Sequence, residues 1–92
     1  MLEGLTIDDF RPLQGGRFRI SPDEAEPFEV ELVEVMEIPR EPGARAPFSL
    51  VFKGGPNPPL RQQIYHVEHE KLGELEIFLV PIAVDQYQAI FT

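Results

Sequence analysis

The feature that most constrains this chain is an alternation of apolar and polar residues with period two. Only an extended strand sends successive side chains to opposite faces. The alternation begins after Gly15-Gly16, where Phe18 and Ile20 point one way and Arg17 and Arg19 the other. From Phe28 to Ile38 it places Phe28, Val30 and Leu32 inward and Glu29 and Glu31 outward. Val33 and Val35 then fall out of phase before Met36 and Ile38 restore it, which predicts a β-bulge or two-sided burial near Leu32-Val33. Further strands are predicted over Phe48–Phe52, Gln63–Glu70, Glu74–Ile82 and Tyr87–Phe91.

The chain between these runs is punctuated by proline and glycine. The segments Pro39–Pro47 and Pro56-Asn-Pro-Pro59 cannot sit in central strands and read as exposed loops. Ahead of the first strand, Thr6-Ile-Asp-Asp-Phe10 joins a capping residue to two carboxylates suited to a helix start. Pro12 and Gly15-Gly16 limit that helix to about a turn. Lys71-Leu72-Gly73 predicts a three-residue hairpin loop with Gly73 left-handed. The fold class expected is all-β and mainly antiparallel: about six strands in a small barrel or sandwich, with one short N-terminal helical turn, all in one domain over 1–92. Eight aromatic residues, Phe18, Phe28, Phe48, Phe52, Tyr65, Phe78, Tyr87 and Phe91, are distributed over all six strands, and most are assigned to the core.

Charge and composition exclude several functional classes. Sixteen acidic residues against eight basic ones give a net charge of -8, which repels phosphate backbones and anionic bilayers. Nucleic acid and membrane surfaces are therefore not expected partners. The chain has no cysteine, which removes disulfides, thiolate catalysis and cysteine metal sites. Its first residues lack the basic start and apolar run of a secretory signal, so a cytoplasmic location is the expectation.

Catalytic motifs are missing as well. The sequence contains no phosphate-cradling glycine loop, nucleophile elbow or HExxH helix, and neither Ser21 nor Ser49 has a nearby histidine in sequence. No catalytic residue and no cofactor is assigned, and enzymatic activity is not expected. A core this small and aromatic leaves little room for a carried ligand.

One constellation has the residue types that chemistry needs, His66-Val-Glu-His-Glu70. On a strand His66, Glu68 and Glu70 share one face, while His69 lies opposite with Tyr65 and Val67, so the two imidazoles do not serve one ion. If Glu70 pairs with Glu74, then Glu68 faces Glu76, and four carboxylates crowd one face of a hairpin beside His66. Like charges opposite each other destabilise a ladder. Solvent, a divalent cation or a basic partner surface would relieve them. The candidate partner-binding residues are Glu68, Glu70, Glu74 and Glu76, and the candidate metal ligands are His66, Glu68 and Glu76. Arg17 and Arg19 are expected to lie across from Glu29 and Glu31, where opposite charges support pairing.

The segments Leu5-Thr-Ile-Asp-Asp-Phe-Arg-Pro-Leu13, Pro47-Phe-Ser-Leu-Val-Phe-Lys-Gly54 and Leu72-Gly-Glu-Leu-Glu-Ile-Phe-Leu-Val-Pro-Ile82 resemble a family of small uncharacterised bacterial proteins labelled a domain of unknown function. Tyr65–His69 and Tyr87–Phe91 extend the likeness over nearly the whole chain. The resemblance implies an association with phage-tail-collar-like proteins and an accessory role in a tail-like assembly. It brings no residue roles. Together these readings predict a non-enzymatic interaction module that binds another protein with a basic surface, or a second copy of itself. The docking element would be the acidic hairpin face, the Pro39–Pro47 loop or an open sheet edge. The alternative is a metal-binding or metal-dependent enzyme domain using His66 and neighbouring carboxylates.

Overall fold

The computed structural model describes residues 5–23, 25–39, 47–56 and 60–91. Most of the two proline-rich loops expected at 39–47 and 56–59 lies outside them. A four-residue helix, α1 (Ile7–Phe10), runs into a 3-10 turn over Arg11–Leu13, and six strands follow: β1 (Arg17–Ser21), β2 (Phe28–Glu37), β3 (Phe48–Gly54), β4 (Gln63–His69), β5 (Gly73–Ala83) and β6 (Gln86–Phe91). The helix starts because the Asp9 carboxylate reaches back to accept the Thr6 backbone N–H at 2.8 Å. Pro12 then lets the chain tighten but not continue.

The strands form a closed barrel in the order β1-β2-β3-β6-β5-β4, every pair antiparallel. It consists of two three-stranded meanders joined by two pairings distant in sequence. Phe48 to Lys53 pair with Phe91 to Gln86, and Arg19, Ile20 and Ser21 pair with Glu68, Val67 and His66. Of the two architectures the sequence permits, barrel and sandwich, the structure takes the barrel. The expected open edge is absent, because closure leaves the described strands with paired neighbours on both sides.

The predicted bulge is present, with the β2–β3 register shifting between Leu32 and Glu34. Its unpaired backbone is satisfied from the turn before β1. The Gln14 side-chain amide donates to the Val33 carbonyl at 3.0 Å, while Gly15 N–H donates to the Leu32 carbonyl and Leu32 N–H to the Gly16 carbonyl. Pro81 lies inside β5 without breaking it, since β4 pairs no further than Leu79 and the β5–β6 register is already shifted after Pro81.

Inward positions fill the barrel with Phe18, Ile20, Leu32, Leu50, Phe52, Tyr65, Val67, Ile77, Leu79 and Tyr87, each at most 2% exposed. Phe18 meets Phe52 edge-on with centroids 5.2 Å apart. One end is capped by α1, whose Phe10 ring packs against Phe48 and Phe91. At the other end two buried tyrosines hold the chain entering β4, as the Tyr65 hydroxyl donates to the Arg61 carbonyl at 2.6 Å and the Tyr87 hydroxyl accepts Leu60 N–H at 2.8 Å. Phe78 departs from the core assignment: it is half exposed, because it shares the parity of Glu74 and Glu76 and not that of Leu75, Ile77 and Leu79. Among the described residues no helix is long and apolar enough to cross a membrane.

Candidate functional site

The β4–β5 hairpin carries the residues that sequence singled out, but in a different register. His66 pairs with Glu76, Glu68 with Glu74 and His69 with Gly73, so Glu70 is not opposite Glu74 and Glu68 is not opposite Glu76. The loop is Glu70-Lys71-Leu72, one residue earlier than expected. Gly73, at φ 79°, is already the first residue of β5. Lys71 N–H donates to His69 Nδ1 at 3.0 Å and holds the turn in that setting. Two residues of slip along the ladder exchange which carboxylates are neighbours while leaving every side chain on its predicted face.

His66 therefore stands between two carboxylates. Its Nε2 lies 3.5 Å from a Glu68 oxygen and 3.6 Å from a Glu74 oxygen. One donor atom from each of the three residues fits within 4.8 Å of the others. The side chains are 36%, 41% and 71% exposed respectively, so the cluster is open to solvent. Glu74 takes the place that sequence reasoning gave to Glu76. Glu76 is exposed across from His66 and borders a small hollow of about 100 Å3 with Ser21, Asp23 and Gln63.

Closure of the barrel adds a neighbour that no local pattern showed. Arg19 is the Cα partner of both Glu29 on β2 and Glu68 on β4. The expected pairing of Arg17 and Arg19 with Glu31 and Glu29 is present, and Arg17 also reaches diagonally to Glu29 at 3.5 Å. The carboxylate face is thus bounded on its β1 side by guanidinium groups.

Between the Gly15-Gly16 turn and the hairpin loop lies an open groove of about 820 Å3. Its walls carry Arg17, Arg19 and Lys71 against Glu29, Glu68, Glu70 and Glu74, so Glu70 belongs to this groove and not to the strand face. Phe18 and His69 contribute to its lining, their ring centroids 4.5 Å apart. His69 lies on the face opposite His66, as the alternation required, so the two histidines do not converge. With Nδ1 accepting from Lys71, the neutral His69 ring carries its proton on Nε2.

The family profile of Domain of unknown function (DUF6916) matches residues 5–91. The chain belongs to the DUF6916 family. Its matched span starts just before α1 and ends at the last residue of β6, so the carboxylate face and the groove both fall inside this DUF6916 domain. No curated protein and no solved structure matches the chain. Membership of DUF6916 assigns no residue a role, and the site is argued from its geometry.

Proposed function

We propose that this DUF6916 domain is a non-enzymatic interaction module that docks a basic protein surface through the outer face of the β4–β5 hairpin. The observation that carries this reading is the convergence of Glu68 and Glu74 on one imidazole, with Glu76 one cross-strand pair away. Crowded carboxylates cost the ladder stability, and a basic surface turns that cost into attraction. The family resemblance adds the setting, an accessory part of a phage-tail-like assembly in a bacterial host.

The test is affinity capture with the tagged domain from its native host at low and moderate salt. A protein partner is expected that is released as salt rises and is lost from a Glu68→Gln/Glu74→Gln/Glu76→Gln variant. Capture that is indifferent to both salt and these carboxylates would refute the acidic face as the docking surface.

A second reading rests on the same three side chains. One imidazole and two carboxylates within 4.8 Å are a donor set for a divalent transition metal. If His66, Glu68 and Glu74 hold such an ion, zinc or manganese at 100-fold above its Kd raises stability by about 2.7 kcal/mol, and His66→Ala abolishes the gain. A melting temperature unmoved by either ion removes this reading and leaves the first intact.

A further inference from the structure

We infer that the docking face proposed above binds a partner segment of mixed chemistry, in which a lysine or arginine seated beside Glu76 accompanies an apolar side chain laid on Ile64 and Phe78. This inference rests on the acidic-face reading and adds the partner's composition to it. The outward positions of the β4–β5 hairpin form three successive rungs: Glu68 with Glu74, His66 with Glu76, and Ile64 with Phe78. The face is therefore acidic toward the loop and apolar at the third rung. Ile64 is 63% exposed and Phe78 50%. As cross-strand partners their Cβ atoms lie about 5 Å apart, so they form one apolar patch and not two scattered side chains. An exposed apolar patch rimmed by polar groups is characteristic of a contact surface.

Where the acidic and apolar parts meet, the surface is hollowed. The hollow of about 100 Å3 is lined by Ile64, His66 and Glu76 from the hairpin and by Ser21 and Asp23 at the end of β1. Small-molecule sites run to roughly 300–1,000 Å3, so this one suits a single side-chain head. Two of its lining residues are carboxylates, and among the described residues neither Asp23 nor Glu76 has a salt-bridge partner. Glu68 and Glu74 already share His66, and Glu68 also has Arg19 as a ladder neighbour. A partner's cation thus gains most at Asp23 and Glu76. Successive outward rungs are about 7 Å apart, so a cation over Glu76 and an apolar side chain over Phe78 come from residues two apart on a strand or one turn apart on a helix. Charge disfavours two other occupants. A second copy carries the same net charge of -8, and an anionic bilayer is repelled as well.

A random peptide library displayed on yeast and sorted against the tagged 92-residue chain tests the inference, with enriched peptides then measured by fluorescence polarisation. Enriched sequences are expected to place Lys or Arg about two to four residues from Phe, Trp, Leu, Ile or Met. Their affinity is expected to fall at least about tenfold for Ile64→Thr/Phe78→Thr and for Asp23→Asn/Glu76→Gln, and to be unchanged for Met36→Thr, a comparably exposed apolar position on β2. Threonine keeps the β-branching that strands favour, and circular dichroism verifies that each variant is folded. Should a variant not fold, the composition of the peptides enriched on the wild type decides. Basic peptides that lack an apolar residue, or that bind folded Ile64→Thr/Phe78→Thr as tightly as the wild type, overturn this inference and leave the acidic face as the docking surface. Peptides indifferent to substitution of Asp23, Glu68, Glu74 and Glu76 overturn both. A library with no enriched binder overturns this inference alone, since salt-dependent capture from the native host still decides the broader reading.

Discussion

Gly55 and Gly73 both have positive φ, at 95° and 79°, yet they constrain the chain in different ways. A Cβ on Gly73 meets nothing within 4 Å, so Gly73→Ala costs only left-handed backbone strain, about 1 kcal/mol. A Cβ on Gly55 falls 2.8 Å from the Phe28 ring, which itself packs near Tyr87, so Gly55→Ala adds displacement of that ring and costs about 1–3 kcal/mol. Urea melts of the two variants should rank them in that order. Equal losses would mean that Phe28 yields freely. The need for glycine at position 73 is legible in the sequence from the hairpin, whereas the Phe28 contact depends on a fold in which β2 passes the end of β3.

At the scale of elements, the tyrosine hydroxyls bind a segment that forms no strand of its own. Tyr87→Phe keeps the buried ring but leaves Leu60 N–H without its acceptor, which costs about 1–2 kcal/mol when the group stays shielded from water. Hydrogen exchange at Leu60 should accelerate far more than at Ile77 in the core of β5. Uniform acceleration would show that the bond supports the whole barrel and not the β3–β4 connection. The six strands and the bulge are readable from periodicity, and the short helix from its capping residues and the Pro12 stop, because each signal lies within one element. The β1–β4 and β3–β6 pairings are not, since alternation fixes which face a residue takes and never which strand lies beside it. The hairpin register departs from the expected one for a smaller reason, one loop residue, and that residue decides whether Glu74 or Glu76 stands beside Glu68. Phe78 is exposed because its parity with Glu74 and Glu76 places it outside, a signal that lies within β5 itself.

For the molecule as a whole, the distribution of charge separates what holds the barrel together from what it presents. The interior is apolar and aromatic, and no described buried side-chain nitrogen or oxygen lacks a partner, so the core is satisfied without help from the hairpin carboxylates. These carboxylates oppose stability: Glu68 and Glu74 are Cα partners on one face of an antiparallel ladder, in a chain already at -8. Glu74→Gln removes this repulsion and is expected to stabilise the isolated domain by about 0.2–1 kcal/mol, with the gain shrinking as salt screens the pair. The same substitution is expected to weaken capture of a basic partner. A surface feature that costs the free protein stability and strengthens a complex is the trade expected of a binding site. Thermal melts of the wild type and Glu74→Gln at low and high salt decide the point. If Glu74→Gln is instead destabilised at low salt, the attraction of His66 and nearby Arg19 outweighs the repulsion, and the face is a self-satisfied network with little left to offer a partner.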